Sequence, residues 1–146
     1  MYRRRTWSVR HARWLKGLYA VFESVLRLLN PLFRLIGYER LDKPFVAVEK
    51  ATKGVLLDSQ SCGQCILSFT GLSCPMNCPK KMRNGPCGGV REGGMCEVDP
   101  DMPCVWVLAW EGNKRFGTGD YPIQVLQPAV DHRLLGTSAW LREVRH

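Results

Sequence analysis

The chain has 146 residues, 45 % of them hydrophobic, which excludes an intrinsically disordered protein and suits one domain with an extension. It lacks a run of about 20 uncharged apolar residues, so the sequence predicts no membrane-spanning helix. Its N-terminal residues also lack the uninterrupted hydrophobic region and cleavage site of a secretion signal. We therefore expect a cytoplasmic protein, with the inner face of the membrane as an alternative location.

The net charge of +8 is concentrated in the first third of the chain, where residues 1–50 hold eleven Lys or Arg and four Asp or Glu. Within this third, apolar residues recur at helical spacing and predict an amphipathic helix. They are Leu15, Leu18, Phe22, Val25, Leu29, Leu32 and Ile36. Asn30-Pro31 predicts a division into two consecutive helices, because Asn caps helices and Pro suits a first turn. Gly37 is the expected stop.

Residues 1–40 form a basic amphipathic docking segment in this interpretation, and three partners are open for it. The helix can pack on its own domain, enter a groove of a partner protein, or lie on anionic lipid. The basic cluster with Trp7 and Trp14 supports the lipid alternative for residues 1–37, whereas packing on the chain's own domain is the ordinary expectation for such a helix. We expect no nucleic-acid partner, because no reading motif accompanies the basic residues.

Residues 38–58 contain short alternating apolar runs, Phe45/Ala47 and Val46/Val48, followed by Val55 to Leu57. These predict short strands leading into the second domain, residues 41–146. We therefore expect an α+β fold: a small, irregular, cysteine-rich, metal-organised domain with few short strands, preceded by N-terminal amphipathic helices.

Seven cysteines lie within 43 residues, and in a reducing compartment such density indicates metal binding more than disulfides. The candidate ligands are Cys62, Cys65, Cys74, Cys78, Cys87, Cys96 and Cys104. The pairs Cys62/Cys65 and Cys74/Cys78 have spacings that let two thiolates bind one centre. Numerous glycines allow the backbone to wrap around such a centre. A metal would also stabilise a segment with little regular periodicity.

The identity of the metal stays open at this point, although the pattern favours an iron–sulfur cluster over zinc. The two pairs would satisfy one zinc ion and leave Cys87, Cys96 and Cys104 unexplained. Seven thiols are enough for one four-cysteine cluster with spare thiols, or for two centres with a non-cysteine ligand. The absence of a ferredoxin-like run of three closely spaced cysteines favours zinc instead.

Three other features are weaker candidates. Lys80, Lys81 and Arg83 form a solvated face, compensate the charge of a thiolate cluster, or provide a docking patch. The aromatic residues after Cys104 are expected in the core or on a partner surface: Trp106, Trp110, Phe116 and Tyr121. Asp131-His132-Arg133 is a polar sequence whose histidine we expect at the surface rather than on a metal.

The run LDSQSCGQCILSFTGLSCPMNCPKKMRNGPCGGVREGGMCEV, followed by MPCVWVLAW, resembles the methylenetetrahydrofolate reductase C-terminal domain family. LQPAVDHRLLGTSAWL is similar to the closing segment of that module. The resemblance covers roughly residues 53–141.

The resemblance implies a small subunit beside a flavin-containing methylenetetrahydrofolate reductase, with no catalytic activity of its own. It implies an iron–sulfur cluster, most simply 4Fe–4S, in one-carbon metabolism, with flavin and folate bound on the partner chain only. Zinc is also associated with such subunits. The alternatives are a zinc-stabilised structural module and a membrane adaptor for the reductase, both without electron transfer. The chain is too short for the partner's barrel, which takes about 250 residues.

Overall fold

A computed structural model describes residues 2–117 and 122–145, which contain five α-helices. They are α1 (Arg3–Arg10), α2 (Ala12–Ile36), α3 (Tyr38–Leu57), α4 (Val105–Phe116) and α5 (Ala139–Arg145). Short 3-10 turns occur at Pro75–Asn77, Glu92–Gly94 and His132–Leu134. The described residues form no β-strand, only isolated bridges from Met95 to Arg91 and Pro103. The predicted α+β class is therefore wrong, and the fold is helical.

The segment predicted as short strands is α3. Its alternating apolar pairs are short. A second pattern, with a period of four residues, runs through the same segment and was not used in the prediction. Its members are Leu41, Phe45, Glu49 and Lys53. Leu41 and Phe45 pack into a core cluster, and Glu49 and Lys53 are buried further along the helix. Tertiary packing on this side decides the local structure, as it commonly does for short apolar runs.

The predicted break at Asn30-Pro31 is also wrong, because α2 continues through Pro31. Pro31 is exposed, so the carbonyl that its missing N–H leaves unpaired can bond water. Asn30 does not cap a new helix: its Nδ2 donates to the backbone oxygen of Val144 at 2.9 Å, and its side-chain oxygen accepts from the Tyr38 hydroxyl. The predicted stop is confirmed, since α2 ends at Gly37 with φ at +95°.

Two hydrophobic clusters hold the helices together. The first joins α2 to the segment that follows α3 and contains Ala12, Leu15, Leu67, Leu72 and Cys74. The second joins α2, α3 and α5 and contains Leu26, Phe33, Trp140, Leu141 and Val144. One side of α2 thus runs the length of the domain and supports both the cysteine segment and the C-terminal helix.

Polar contacts fix α1 on the same body. Arg5 Nε donates to Asp58 Oδ2 at 2.5 Å, and the Tyr2 hydroxyl donates to Asp99 Oδ2 at 2.6 Å. The sequence left three partners open for the N-terminal helices: their own domain, a partner protein and lipid. These contacts confirm the first for the side of the helices that faces the rest of the chain. The division of the chain at residue 40 stays a prediction. None of the helices described here has the length and apolar character needed to cross a membrane.

Candidate metal centre

The seven thiols fall into two groups. Cys62, Cys65 and Cys74 line one cavity of about 10 Å³, which we call the three-thiol group. A second cavity of about 20 Å³ is lined by Cys78, Cys87, Cys96 and Cys104, the four-thiol group. The sequence placed Cys74 and Cys78 in one pair, whereas here they belong to different groups. Their role as metal ligands stays a prediction.

The local backbone explains this separation. Cys74 and Cys78 flank the 3-10 turn Pro75–Asn77, and Pro75 starts that turn. Cys74 faces the core beneath α2, while Cys78 lines the second cavity. In the described residues, all the non-glycine residues with positive φ lie between positions 58 and 81: Asp58, Ser61, Leu72 and Lys81. Such conformations cost free energy and concentrate where a segment is shaped for function.

Backbone hydrogen bonds shape the four-thiol group. The amide of Cys96 donates to the Met102 oxygen at 2.9 Å, and the amide of Cys104 donates to the Gly94 oxygen at 2.8 Å. The Cys87 sulfur lies 3.8 Å from Glu97 Oε1, and the same carboxylate pairs with Lys80. Four thiols and one carboxylate therefore surround this cavity, and its apolar lining includes Val98, Met102, Val105 and Trp106.

The three-thiol group is more deeply placed. Burial raises the pKa of the Cys74 thiol, the backbone amides of Gln60 and Met76 oppose that rise, and the thiols of Cys65 and Cys62 add to it. Ser61 lines the same cavity, and its Oγ is buried without a hydrogen-bond partner in the described part of the chain.

Sequence reasoning missed a buried ion pair beside the three-thiol group. Lys53 Nζ lies 2.7 Å from Glu49 Oε1, and both side chains are 5 % exposed. Glu49 Oε2 also accepts from the Ser138 hydroxyl at 2.8 Å. Burial lowers the pKa of Lys53, but the Cys65 thiol and the Glu49 carboxylate outweigh it, so the pKa is raised overall. The available signal was the spacing of four between Glu49 and Lys53, which is also common on exposed helix faces.

A larger cavity of about 450 Å³ lies between α2, α3 and α5. Its lining is mostly apolar and includes Leu18, Phe22, Leu56 and Trp140. Cys65 lines both this cavity and the three-thiol cavity, so that thiol is the point where the two meet.

The basic cluster after Cys78 has structural contacts. Arg83 Nε donates to the Pro128 oxygen at 2.7 Å, Lys81 Nζ donates to the Met76 oxygen at 2.8 Å, and Lys80 pairs with Glu97. These contacts join loops and balance one carboxylate. Lys80 and Lys81 are exposed, as a solvated face requires, whereas Arg83 is half-buried; charge compensation of a cluster and docking stay predictions.

The aromatic residues after Cys104 and the Asp131-His132-Arg133 sequence are the last of the predicted positions. Trp106 is buried, Trp110 is 47 % exposed and Phe116 is half-buried, while Tyr121 lies outside the described residues. His132 is exposed, as predicted. Its neighbour Asp131 pairs with Arg133 at 2.7 Å, which lowers the pKa of that carboxyl to about 2.

The thiols of each group surround a common cavity but do not converge on a point. Within residues 2–117 and 122–145, no three His, Cys, Asp or Glu side chains are placed to hold one metal ion. Four sulfurs on a single zinc ion would each lie about 2.3 Å from it. The arrangement therefore does not form a zinc site without movement of the side chains.

Comparison with known families identifies one match. Residues 38–133 match the family described as methylene-tetrahydrofolate reductase C terminal, a range that includes α3, all seven cysteines and α4. Comparison with curated proteins and with solved structures found no match. The matched range covers well over half of the sequence. This chain belongs to the methylene-tetrahydrofolate reductase C-terminal family.

Proposed function

We propose that the chain is an accessory iron–sulfur subunit of a flavin-dependent methylenetetrahydrofolate reductase and serves electron transfer between a donor and the flavin of its partner. The observation that carries the proposal is the grouping of four thiols around one cavity in a member of this family. Iron–sulfur clusters take four cysteine thiolates as their usual ligand set. Cys78, Cys87, Cys96 and Cys104 provide such a set.

The number of thiols around the second cavity is compatible with a four-iron cluster. In a four-iron cluster each cysteine sulfur binds a different iron, so the sulfurs lie farther apart than four sulfurs on one zinc. Either group would require movement of the side chains, because no three of them are placed in the described residues to hold one metal ion. The cavity of about 20 Å³ is smaller than a cluster core, so we expect the surrounding loop to open on binding.

The chain's own residues have defined roles in this proposal. The four cysteines would hold the group, and Met102, Val105 and Trp106 would keep water from it on the side of α4. Lys80 would offset the negative charge of the Glu97 carboxylate, which lies beside the Cys87 sulfur. A bound cluster would supply one-electron transfer, whose potential depends on burial and on hydrogen bonds to sulfur.

We assign the catalytic step to the partner. The flavin and folate sites of such a reductase belong to a barrel of about 250 residues, and this chain has 146. The described residues are helical and contain no strand from which a barrel could be built. The matched family, described as the C terminus of a methylene-tetrahydrofolate reductase, supports a role beside the catalytic part of such an enzyme.

A second candidate is a zinc-stabilised structural module. It is favoured by the segment from Cys78 to Cys104, which has only short 3-10 turns and isolated bridges, and whose residues from Cys87 to Glu92 are mostly exposed. A segment with so little core of its own gains stability from a bound metal.

Anaerobic co-purification with the reductase, followed by iron, sulfide, zinc and visible-absorption measurements, separates the two candidates. The first predicts iron and sulfide in equal amounts, and reduction of the partner's flavin that depends on this chain. The substitution Cys87→Ala should abolish the iron content of the four-thiol group. Cys65→Ala is the matched control, because Cys65 is also exposed but belongs to the other group.

Colourless protein that carries only zinc would overturn the electron-transfer proposal and support the structural one. Loss of iron in Cys65→Ala but not in Cys87→Ala would contradict the assignment to the four-thiol group.

A further inference from the structure

The exposed side of α2 carries a continuous apolar stripe in addition to the side that packs on the core. Its members are spaced alternately by four and three residues, and each is between 47 % and 84 % exposed. They are Trp14, Leu18, Val21, Val25, Leu28, Leu32 and Leu35. At 1.5 Å per residue the stripe is about 30 Å long. Soluble monomers rarely expose contiguous apolar surface on this scale, which marks it as an interaction site.

The charges beside the stripe have one sign. Residues 2–22 contain six Lys or Arg and no Asp or Glu. Arg10 and Arg13 are exposed and have no ion-pair partner among the described residues. Further along, Arg27 pairs with Glu23, the only acidic residue of α2, and Arg34 is exposed on the same side of the helix as Arg27. Unbalanced positive charge therefore lies beside the N-terminal end of the stripe.

This charge pattern argues against two protein occupants. A second copy of the chain would bring the same arginines together without exposed carboxylates on α2 to balance them. A partner helix in a coiled coil usually selects its register through charged residues that flank the seam. Here the flanking positions are apolar or small: Leu15, Phe22, Leu29 and Ile36 on one side, and Gly17, Ser24 and Pro31 on the other.

We propose that this stripe docks the protein on the surface of an anionic lipid bilayer, with α2 parallel to the membrane plane. Such a surface needs an apolar stripe, a basic border and aromatic rings at the level of the headgroups. Trp7 and Trp14, 43 % and 64 % exposed, provide the rings at the arginine-rich end. The inference goes beyond the proposed subunit function and does not depend on it.

The test is co-sedimentation of the full chain with vesicles of phosphatidylcholine alone or with one-quarter phosphatidylglycerol. We expect binding to the second kind that weakens as salt is raised. Each arginine near an anionic surface contributes about fivefold in affinity, so Arg10→Ser with Arg13→Ser should weaken binding by about 30-fold. Leu28→Ser with Leu35→Ser should weaken it by about 100-fold, because both side chains leave the lipid.

Leu126→Ser is the matched control, since Leu126 is 82 % exposed but lies outside α2, and it should bind like the wild type. All of these positions are exposed, so the variants keep their fold. No binding to phosphatidylglycerol vesicles, or equal binding by Leu28→Ser with Leu35→Ser, overturns the proposal. If that double variant instead loses co-purification with the reductase while no form binds vesicles, the stripe is a protein interface and the lipid proposal is wrong.

Discussion

The contact between Gly71 and Gly112 should be sensitive to a single methyl group. Gly112 is buried in α4, and a Cβ at this position would lie 2.1 Å from the backbone oxygen of Gly71. In the reverse direction, a Cβ on Gly71 would lie 2.2 Å from the amide nitrogen of Asn113. Because backbone atoms stand on both sides, no flexible side chain can move aside. We predict that Gly112→Ala destabilises the protein.

Two opposed effects set the magnitude. Ala is better than Gly inside a helix by about 1 kcal/mol, which favours the variant. The clash forces the cysteine segment away from α4 by about 1 Å, and overpacking of this kind costs up to about 3 kcal/mol. Leu72 and Ser73 directly follow Gly71 in the chain, and Ser73 Oγ donates to the Val105 oxygen at the start of α4 at 2.8 Å, so movement of this segment would disturb both. The free energy of unfolding should therefore fall by about 2 kcal/mol, or Tm by about 6 °C.

Urea denaturation followed by circular dichroism measures the change, with both proteins in the same metal state. Gly17→Ala is the control, because Gly17 is exposed in α2 and a Cβ there would have no atom within 4 Å. That variant should gain up to about 1 kcal/mol from helix propensity alone. If Gly112→Ala is as stable as the wild type or more so, the close approach of the two backbones is refuted.

Three further predictions concern the buried groups. Lys53→Met leaves the Glu49 carboxylate buried without its cation, so the free energy of unfolding in urea should fall by about 3 kcal/mol, and a loss below about 1 kcal/mol would contradict the buried pair. In metal-free protein, Cys65 should react with iodoacetamide before Cys74, which is 6 % exposed and has a raised pKa; equal rates in peptide mapping by mass spectrometry would refute this. Ser61→Cys gives the three-thiol group a fourth thiol at the site of a buried, unpartnered oxygen, so bound iron or zinc per chain should rise, and unchanged metal content would refute the reasoning.

The elements that the sequence predicts correctly have long, regular signals. The apolar residues of α2 recur at helical spacing, and Gly37 directly follows them. Both the helix and its end can therefore be predicted from the sequence. The break at Pro31 is not a break, because apolar positions on its two sides, such as Leu26 and Phe33, stay in phase and pack into the same cluster. The segment of α3 gives no such signal, because its residues fit both the alternating pattern of a strand and the period-four pattern of a helix.

The grouping of the thiols could not be predicted from spacing. Cysteines four positions apart can bind one centre or two, depending on the turn between them. Here the 3-10 turn after Cys74 directs Cys78 to the other cavity. Cys104, 26 positions after Cys78 in sequence, reaches the same cavity because its segment hydrogen-bonds back to Gly94. Long-range hydrogen bonds of this kind leave no local pattern in the sequence.

Because α2 packs against α5, the residues that match the family do not by themselves contain the whole hydrophobic core. Residues 38–133 include neither helix, although Leu26 and Phe33 on one and Trp140 on the other form a single cluster. A fragment trimmed to the matched residues 38–133 would expose the apolar sides of α3 that these helices cover, and would aggregate. The two ends of this sequence therefore depend on each other for solubility, and a deletion at either end acts on both.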